Sequence, residues 1–483
     1  MVNVKYTKIF INNEWVNSVS GKTFPVINPT TEEKYADIAE GDKADADKAV
    51  AAAVAAFRLN SPWRKLDPSA RGRLLNKLAD LLERDIEEMA ALGSLESGKV
   101  MATSIFEVQA SVATLRYAAG WADKIHGKTI PADGGVTSFT RIEPVGVCLA
   151  ICPFNFPILL TFWKIGPALA CGNVCIVKPS EKTPVTALYL ASLIAEAGFP
   201  PGVLNVVPGY GRTAGAALVE HPQVNKISFT GSTATGKLIA KKASATLKRV
   251  SLELGGKSPL VVTPNFDVQT AAAIAHAGCF FHQGQVCMAA TRTFVHESIY
   301  EEFVAASAAL AKKAVLGDPA LPTTTQGPQV DAMQMVKILD LIESGKKQGA
   351  RLVTGGGRAT VPEKGYFIQP TVFADVTDDM RIACEEIFGP VQQILKYSTL
   401  EEAIERANST SYGLASGILT NDINEVLKFS NEVQAGTVFV NGYLLTASQN
   451  PFGGFHESGI GREMGADGML EYCEIKTVVI KLK

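Results

Sequence analysis

Residues Lys226–Lys257 read KISFTGSTATGKLIAKKASATLKRVSLELGGK. A strand-like run (KISFT) comes first, then a glycine turn and a helical segment. A second strand-like run (VSLEL) follows and ends in Gly255 and Gly256. Upstream, VCLAICPF (147–154), VCIVKP (174–179) and VLNVVPG (203–209) are further apolar runs separated by helical segments. Strands alternating with helices predict βαβ units, so a parallel sheet with helices on both faces is expected over Pro144–Leu254.

The turn itself, GSTATGK, admits two readings. A phosphate loop of the form GxxxxGK[ST] needs a hydroxyl after the lysine, and Leu238 stands there instead. A dinucleotide site would use close backbone approach and a helix N-terminus to hold pyrophosphate, but the usual GxGxxG is absent. Spacing alone also allows a plain strand–helix turn.

Downstream lies an alanine-rich segment and then FFHQGQVCMAAT at 280–291. The stretch Val250–Thr291 thus contains a carboxylate, Glu253, and a thiol, Cys287, framed by small and polar residues. A cysteine with a carboxylate base is the minimum equipment for covalent catalysis on a carbonyl. The thiolate is the nucleophile, and an ordinary cysteine with a pKa of about 8.5 needs activation. Most isolated buried cysteines only fill space. Cys279, in the same region, reads that way.

The chain has 483 residues, which is too many for one ordinary core and predicts two or more domains. Its net charge of -2 argues against nucleic acid or an anionic membrane as the main partner. Eight cysteines in so long a chain do not form a disulfide framework. Cys148, Cys152, Cys171 and Cys175 come closest to a ligand cluster, but apolar residues separate them, so no metal is expected. The N-terminal stretch has neither an apolar secretion segment nor an arginine-rich amphipathic pattern. The longest apolar region, 145–177, is broken by Pro153, Asn155, Pro157 and Lys164, so no membrane span is expected. A reducing, cytoplasmic setting fits these features.

Residues 8–35 read as short strands and turns, and helical patterning begins at Ala44. Asp67-Pro68 marks a second helix start, with Leu74, Leu75, Leu78, Leu81 and Leu82 on one face. Residues 129–143 alternate like a hairpin turning at Gly134-Gly135. A second α/β region runs from Gly255 to about Phe455. The tail YCEIKTVVIKLK reads as a strand; left exposed it would invite aggregation, so pairing with another subunit is expected.

ELGGKSP (253–259) and FFHQGQVC (280–287) resemble the two signature segments of the NAD(P)-dependent aldehyde dehydrogenase superfamily. PFNFP (153–157), KPSE (178–181), FTGST (229–233), EEIFGPV (385–391) and PFGGFHESGIGRE (451–463) match further segments in the same order. The chain looks closest to the animal branch that oxidises acetaldehyde and retinal. The resemblance implies a Rossmann-like NAD-binding domain (1–122 and 144–254), an α/β catalytic domain (255–456) and β oligomerisation elements (123–143 and 457–483). It also implies a homotetramer or homodimer.

What the resemblance implies for the site is specific. Cys287 is the nucleophile, Glu253 the base that activates water, and Asn155 a side-chain donor to the oxyanion. Lys178 and Glu463 match residues implicated in relaying a proton outward. Gly231 and Ser232, with Thr230 and Leu254 beside them, match the pyrophosphate region, and Phe154 and Gly211 match further cofactor contacts. Lys178, Ser180 and Glu181 sit in the segment that holds the adenosine ribose. A carboxylate at Glu181 repels a 2′-phosphate, so NAD is favoured over NADP. Glu386 and Phe388 match residues that position the nicotinamide ribose and ring. His282 stands where the family usually carries asparagine; with Glu253 present, a Cys–His dyad is not expected.

The residues matching the family's substrate tunnel are Ala110, Phe156, Leu160, Trp163, Leu444 and Thr446. Ala110 and Thr446 are small where acetaldehyde-preferring relatives are bulky, and Leu444 replaces an acid. A wide apolar mouth admitting retinal-like, isoprenoid or fatty aldehydes is therefore expected. Three alternatives compete. A broad acetaldehyde-type dehydrogenase would keep the mechanism and lose the wide tunnel. A CoA-acylating relative would not need Glu253. A structural, crystallin-like protein on the same fold would not need the catalytic residues that are present here.

Overall fold

The computed structural model describes residues 3–481. Met1, Val2, Leu482 and Lys483 lie outside the described residues, and with them the last two residues of the expected C-terminal strand.

The expected parallel sheet is present. Strands Val147–Ile151, Val174–Lys178, Leu204–Val206, Lys226–Thr230 and Arg249–Glu253 pair in parallel within an eight-stranded sheet. The first lies in the middle, between the second and the fourth. The order therefore reverses between Val147–Ile151 and Lys226–Thr230, the arrangement of a Rossmann-like sheet. Both faces are covered, so Val147–Ile151 and Val174–Lys178 are buried at every position, which explains their unbroken apolar sequence. At the far edge Ile9–Ile11 and Glu14–Val16 complete the sheet.

Glu253 ends the last parallel strand, and Pro259 opens the first strand of a seven-stranded sheet. The ELGGKSP segment is thus the crossing between the two sheets. In the second sheet six strands run parallel and Arg351–Thr354 pairs antiparallel at one edge.

A three-stranded sheet stands apart. Cys473–Lys481 pairs antiparallel with Val136–Pro144 along its whole length, and Thr129–Ile130 flanks it. Ile475, Val479 and Ile480 are exposed on it. One part of the expected C-terminal element lies elsewhere. Gly459–Ile460 pairs antiparallel with Leu252 and Glu253, at the edge of the first sheet. Backbone hydrogen bonding to that open edge draws the segment away from the three-stranded sheet. Among the described residues no helix is long and apolar enough to cross a membrane, and no group of three metal-ligating side chains forms. Cys148 and Cys175 are paired neighbours on adjacent strands, buried and free.

Candidate active site

Register places the chemistry at one end of the first sheet. Ile151 pairs with Lys178, Phe229 with Ile151, and Thr230 with Glu253. The C-terminal ends of four parallel strands therefore carry Lys178, Thr230, Glu253 and the loop after Ile151, where open α/β sheets bind ligands.

That loop leads through Asn155 and Phe156 into helix Pro157–Ala170, with proline at a first-turn position. The start of the helix is pinned by a buried carboxylate: Glu107 Oε1 accepts from Ile158 N at 2.8 Å and Leu159 N at 3.1 Å. Its other oxygen pairs with Lys99, and both side chains are fully buried. Asn155 Nδ2 donates to the Gln285 carbonyl at 2.9 Å, so the amide is oriented by the chain two residues before Cys287.

The approach to Cys287 is unusual backbone. His282 (φ 47°) and Gln283 (φ 56°) are left-handed, as is Gly284 (φ 72°). Only glycine fits at 284, because a Cβ there would lie 2.1 Å from the Gly389 carbonyl oxygen. Left-handed non-glycine residues cost about 1–3 kcal/mol each and persist where the surroundings hold them. Gln283 supplies such a hold: its Nε2 donates to the carbonyls of Gly98 (2.8 Å) and Pro328 (2.9 Å). His282 is buried, meets the Phe156 ring edge-on at 5.3 Å, and shares a hydrogen bond with Gln283 at 3.2 Å. Burial holds its ring well below the usual histidine range. Cys279 is packed away from the site, its Sγ donating to the Val391 carbonyl.

Electrostatics couple the two central groups. Burial pushes the Glu253 carboxyl up to about 8, and the nearby Glu463 adds to the rise. Neither Glu253 oxygen has a hydrogen-bond partner among the described residues. Burial, then the adjacent Glu253, raises the Cys287 thiol well above the usual range. Glu386 is close enough to contribute to both effects; its Oε1 accepts from Gly256 N at 3.2 Å. A Cβ at Gly255 would come within 2.5 Å of the Glu386 carboxylate and would displace that side chain.

The relay expected from sequence is corrected in one member. Lys178 Nζ donates to Glu181 at 3.2 Å, on the cofactor side. The lysine that meets Glu463 is Lys164, which donates to Glu463 Oε1 at 2.5 Å and to Thr230 Oγ1 at 2.6 Å. Lys164 lies on helix Pro157–Ala170, whereas Lys178 ends strand Val174–Lys178. In the sequence Lys164 appeared only as an interruption of an apolar run.

Two cavities meet at the thiol. The first, about 710 Å³, is lined by Phe154, Lys178, Ser180, Glu181 and Gly211. Thr230, Gly231, Ser232 and Leu254 follow, and Glu386 and Phe388 close it. Every expected cofactor contact therefore faces this one space. Ser232 caps helix Thr233–Ala243, whose first N–H groups open toward it, an arrangement suited to phosphate. Apolar Val219 and Ile239 line its outer part. Two carboxylates, Glu181 and Glu386, a helix N-terminus and apolar side chains in one cavity fit a dinucleotide with two riboses.

The second cavity, about 780 Å³, is mainly apolar. Phe156, Leu160, Trp163, Leu444 and Thr446 line it as expected; Ala110 does not, because its helix presents Phe106, Thr103 and Ala102 instead. Sequence reasoning missed Phe281, Val286 and Met288, which flank Cys287 in the chain, and Phe452 from a distant segment. Their apolar character beside the QGQVC frame was the available signal. Cys287 and Asn155 line both cavities.

Residues 15–478 match the pattern described as the aldehyde dehydrogenase family. The chain belongs to that family. It is 60% identical over 481 residues to aldehyde dehydrogenase 1A1 of Mesocricetus auratus, covering 99% of this chain and 96% of the relative. It is also 60% identical to aldehyde dehydrogenase 1A1 of Gallus gallus, with 99% and 94% covered. Among solved structures, the NAD+ complex of aldehyde dehydrogenase from Bacillus cereus superimposes with a TM-score of 0.97 at 46% identity, covering 99% and 97% of the two chains. This aldehyde dehydrogenase is accordingly an oxidoreductase that oxidises aldehydes with a nicotinamide cofactor.

Proposed function

We propose that this aldehyde dehydrogenase converts long or bulky apolar aldehydes to carboxylic acids, using NAD in preference to NADP. The observation that carries the reading is the placement of Cys287 where the cavity lined by Lys178, Glu181 and Glu386 meets the second, mainly apolar one. An aldehyde enters through the apolar side and the cofactor through the other. Cys287 Sγ forms a bond to the carbonyl carbon as its proton passes to Glu253. The resulting oxyanion takes hydrogen bonds from the Asn155 amide and the Cys287 N–H. Asn155 Nδ2 has a second hydrogen beyond the one held by Gln285, so it can donate without rearrangement. The nicotinamide, when bound, supplies the hydride acceptor. Once that proton has left by way of Lys164 and Glu463, Glu253 takes a proton from water, whose oxygen attacks the thioester; the C–S bond breaks, the acid leaves and the thiolate takes the proton back from Glu253. Glu463 and Lys164 form the buried ion pair next to Glu253 through which a proton would move outward.

For the cofactor, Ser232 and the N–H groups of its helix would hold the pyrophosphate. Lys178 and Glu181 would hold the adenosine ribose, and Glu386 and Phe388 the nicotinamide side. Glu181, partly exposed at its cavity's rim, supports NAD through repulsion of a 2′-phosphate. A CoA-acylating reading would leave the buried base Glu253 without a use.

The exposed apolar strand Cys473–Lys481 supports assembly into a homotetramer or homodimer. One relative carries the name cytosolic aldehyde dehydrogenase, which supports a cytosolic location. The test is formation of reduced nicotinamide over an aldehyde series from acetaldehyde to retinal and farnesal, with NAD and with NADP. Efficiency is expected to climb with apolar size, since each buried CH₂ is worth about 0.8 kcal/mol. Activity highest on acetaldehyde would discard the wide-tunnel reading.

A further inference from the structure

The apolar cavity has a chemically distinct outer end. Its inner end is Cys287; its outer end includes Lys313, whose side chain is exposed. Among the described residues Lys313 is the only lysine, arginine, aspartate or glutamate on the cavity wall. It makes no ion pair with a carboxylate among the described residues. The nearby helix Tyr300–Ala311 carries two acids in its first turn, Glu301, held by Arg351 at 2.9 Å, and Glu302; neither lines the cavity. His276, on the packed neighbouring helix Val268–Phe280, presents an Nδ1 with no partner among the described residues. The wall beside Lys313 is fastened: Thr325 Oγ1 accepts from Val315 N at 2.9 Å, and Gln326 Nε2 donates to the Ile368 carbonyl at 2.8 Å.

We infer that this outer end is a subsite for an anionic group at the far end of a long aldehyde, with Lys313 as its cation. The substrate class is an aldehyde with an apolar chain and a terminal carboxylate. The proposal rests on the apolar-tunnel reading and adds to it. A neutral chain gains only from burying methylenes. A terminal carboxylate that reaches the mouth also meets one unpaired cation and no lining acid. The net charge of the chain is -2, so the attraction is local to Lys313 and not a general property of the surface.

The experiment compares kcat/KM for two series of equal chain lengths, n-alkanals and their ω-carboxylated counterparts, in the intact enzyme, Lys313→Glu and Lys313→Arg. The expected result is a carboxylate-to-neutral ratio that rises once the chain spans the cavity. The ratio falls about tenfold in Lys313→Glu, chiefly through KM, and returns in Lys313→Arg. Raising ionic strength lowers it in the intact enzyme. A ratio identical in the intact enzyme and Lys313→Glu at every length overturns the subsite. A neutral series with no length dependence overturns the tunnel reading instead, whatever Lys313 does, so the two failures are distinct.

Discussion

Glu253 gives the sharpest prediction, because its role and its environment pull in opposite directions. Hydrolysis of the thioester needs the carboxylate, yet burial and the neighbouring Glu463 favour the neutral acid and hold the group near 8. At neutral pH only about a tenth of the molecules carry the charged form. Hydrolysis of a preformed acyl-enzyme should therefore accelerate about tenfold per pH unit below about pH 8 and level off above it. Measuring the acyl-enzyme by rapid quench separates this titration from that of Cys287. Glu253→Gln should lower the hydrolytic rate by roughly 10²–10⁴. Stability moves the other way. A carboxyl raised from its ordinary 4.5 to about 8 favours the fold fully below 4.5, and that contribution is lost as pH rises through 8. The span corresponds to an upper bound of ~5 kcal/mol, so Glu253→Gln should be the more stable protein in alkaline solution. Hydrolysis that is flat with pH across this range, or that survives in Glu253→Gln at the original rate, would refute the assignment of the base.

Three further outcomes follow from the geometry. Asn155→Ala removes a preorganised oxyanion donor and should reduce kcat several hundredfold, or about 3–4 kcal/mol, in steady-state assays. Lys99→Met leaves Glu107 as a buried, unpaired charge under the start of helix Pro157–Ala170; a loss of ~3–5 kcal/mol is expected, read as a lower thermal-unfolding midpoint. Glu181→Gln should raise the ratio of NADP to NAD efficiency, and an unchanged ratio would remove Glu181 from cofactor selection.

The resemblance extended to individual residues because each lay within a contiguous motif. Cys287, Glu253 and Asn155 fall in FFHQGQVC, ELGGKSP and PFNFP, and the cavity gathers them as those motifs implied. Lys164 was hidden for a different reason. It stands inside a buried helix of continuous apolar sequence, where a lone lysine looks like an interruption, and only the fold shows Glu463 opposite it. Ala110 failed for a reason of position along the helix. It lies one turn beyond Phe106 on the same face, and the lining contributed by that helix ends at Phe106.

Sequence by itself determined the alternation of strands and helices and the parallel sheet, and it singled out Cys287 as the candidate thiol. Those depend on local periodicity and on short motifs whose residues are adjacent in the chain. The tertiary structure alone decided which groups share a space: the ion pair between residues 164 and 463, the meeting of two cavities at Cys287, and the solitary cation at the outer mouth. It also decided that Glu253 is buried, with no hydrogen-bond partner among the described residues. Burial and charge proximity are properties of distance in space, and a carboxyl acquires a pKa near 8 only when folding removes its water and brings Glu463 beside it.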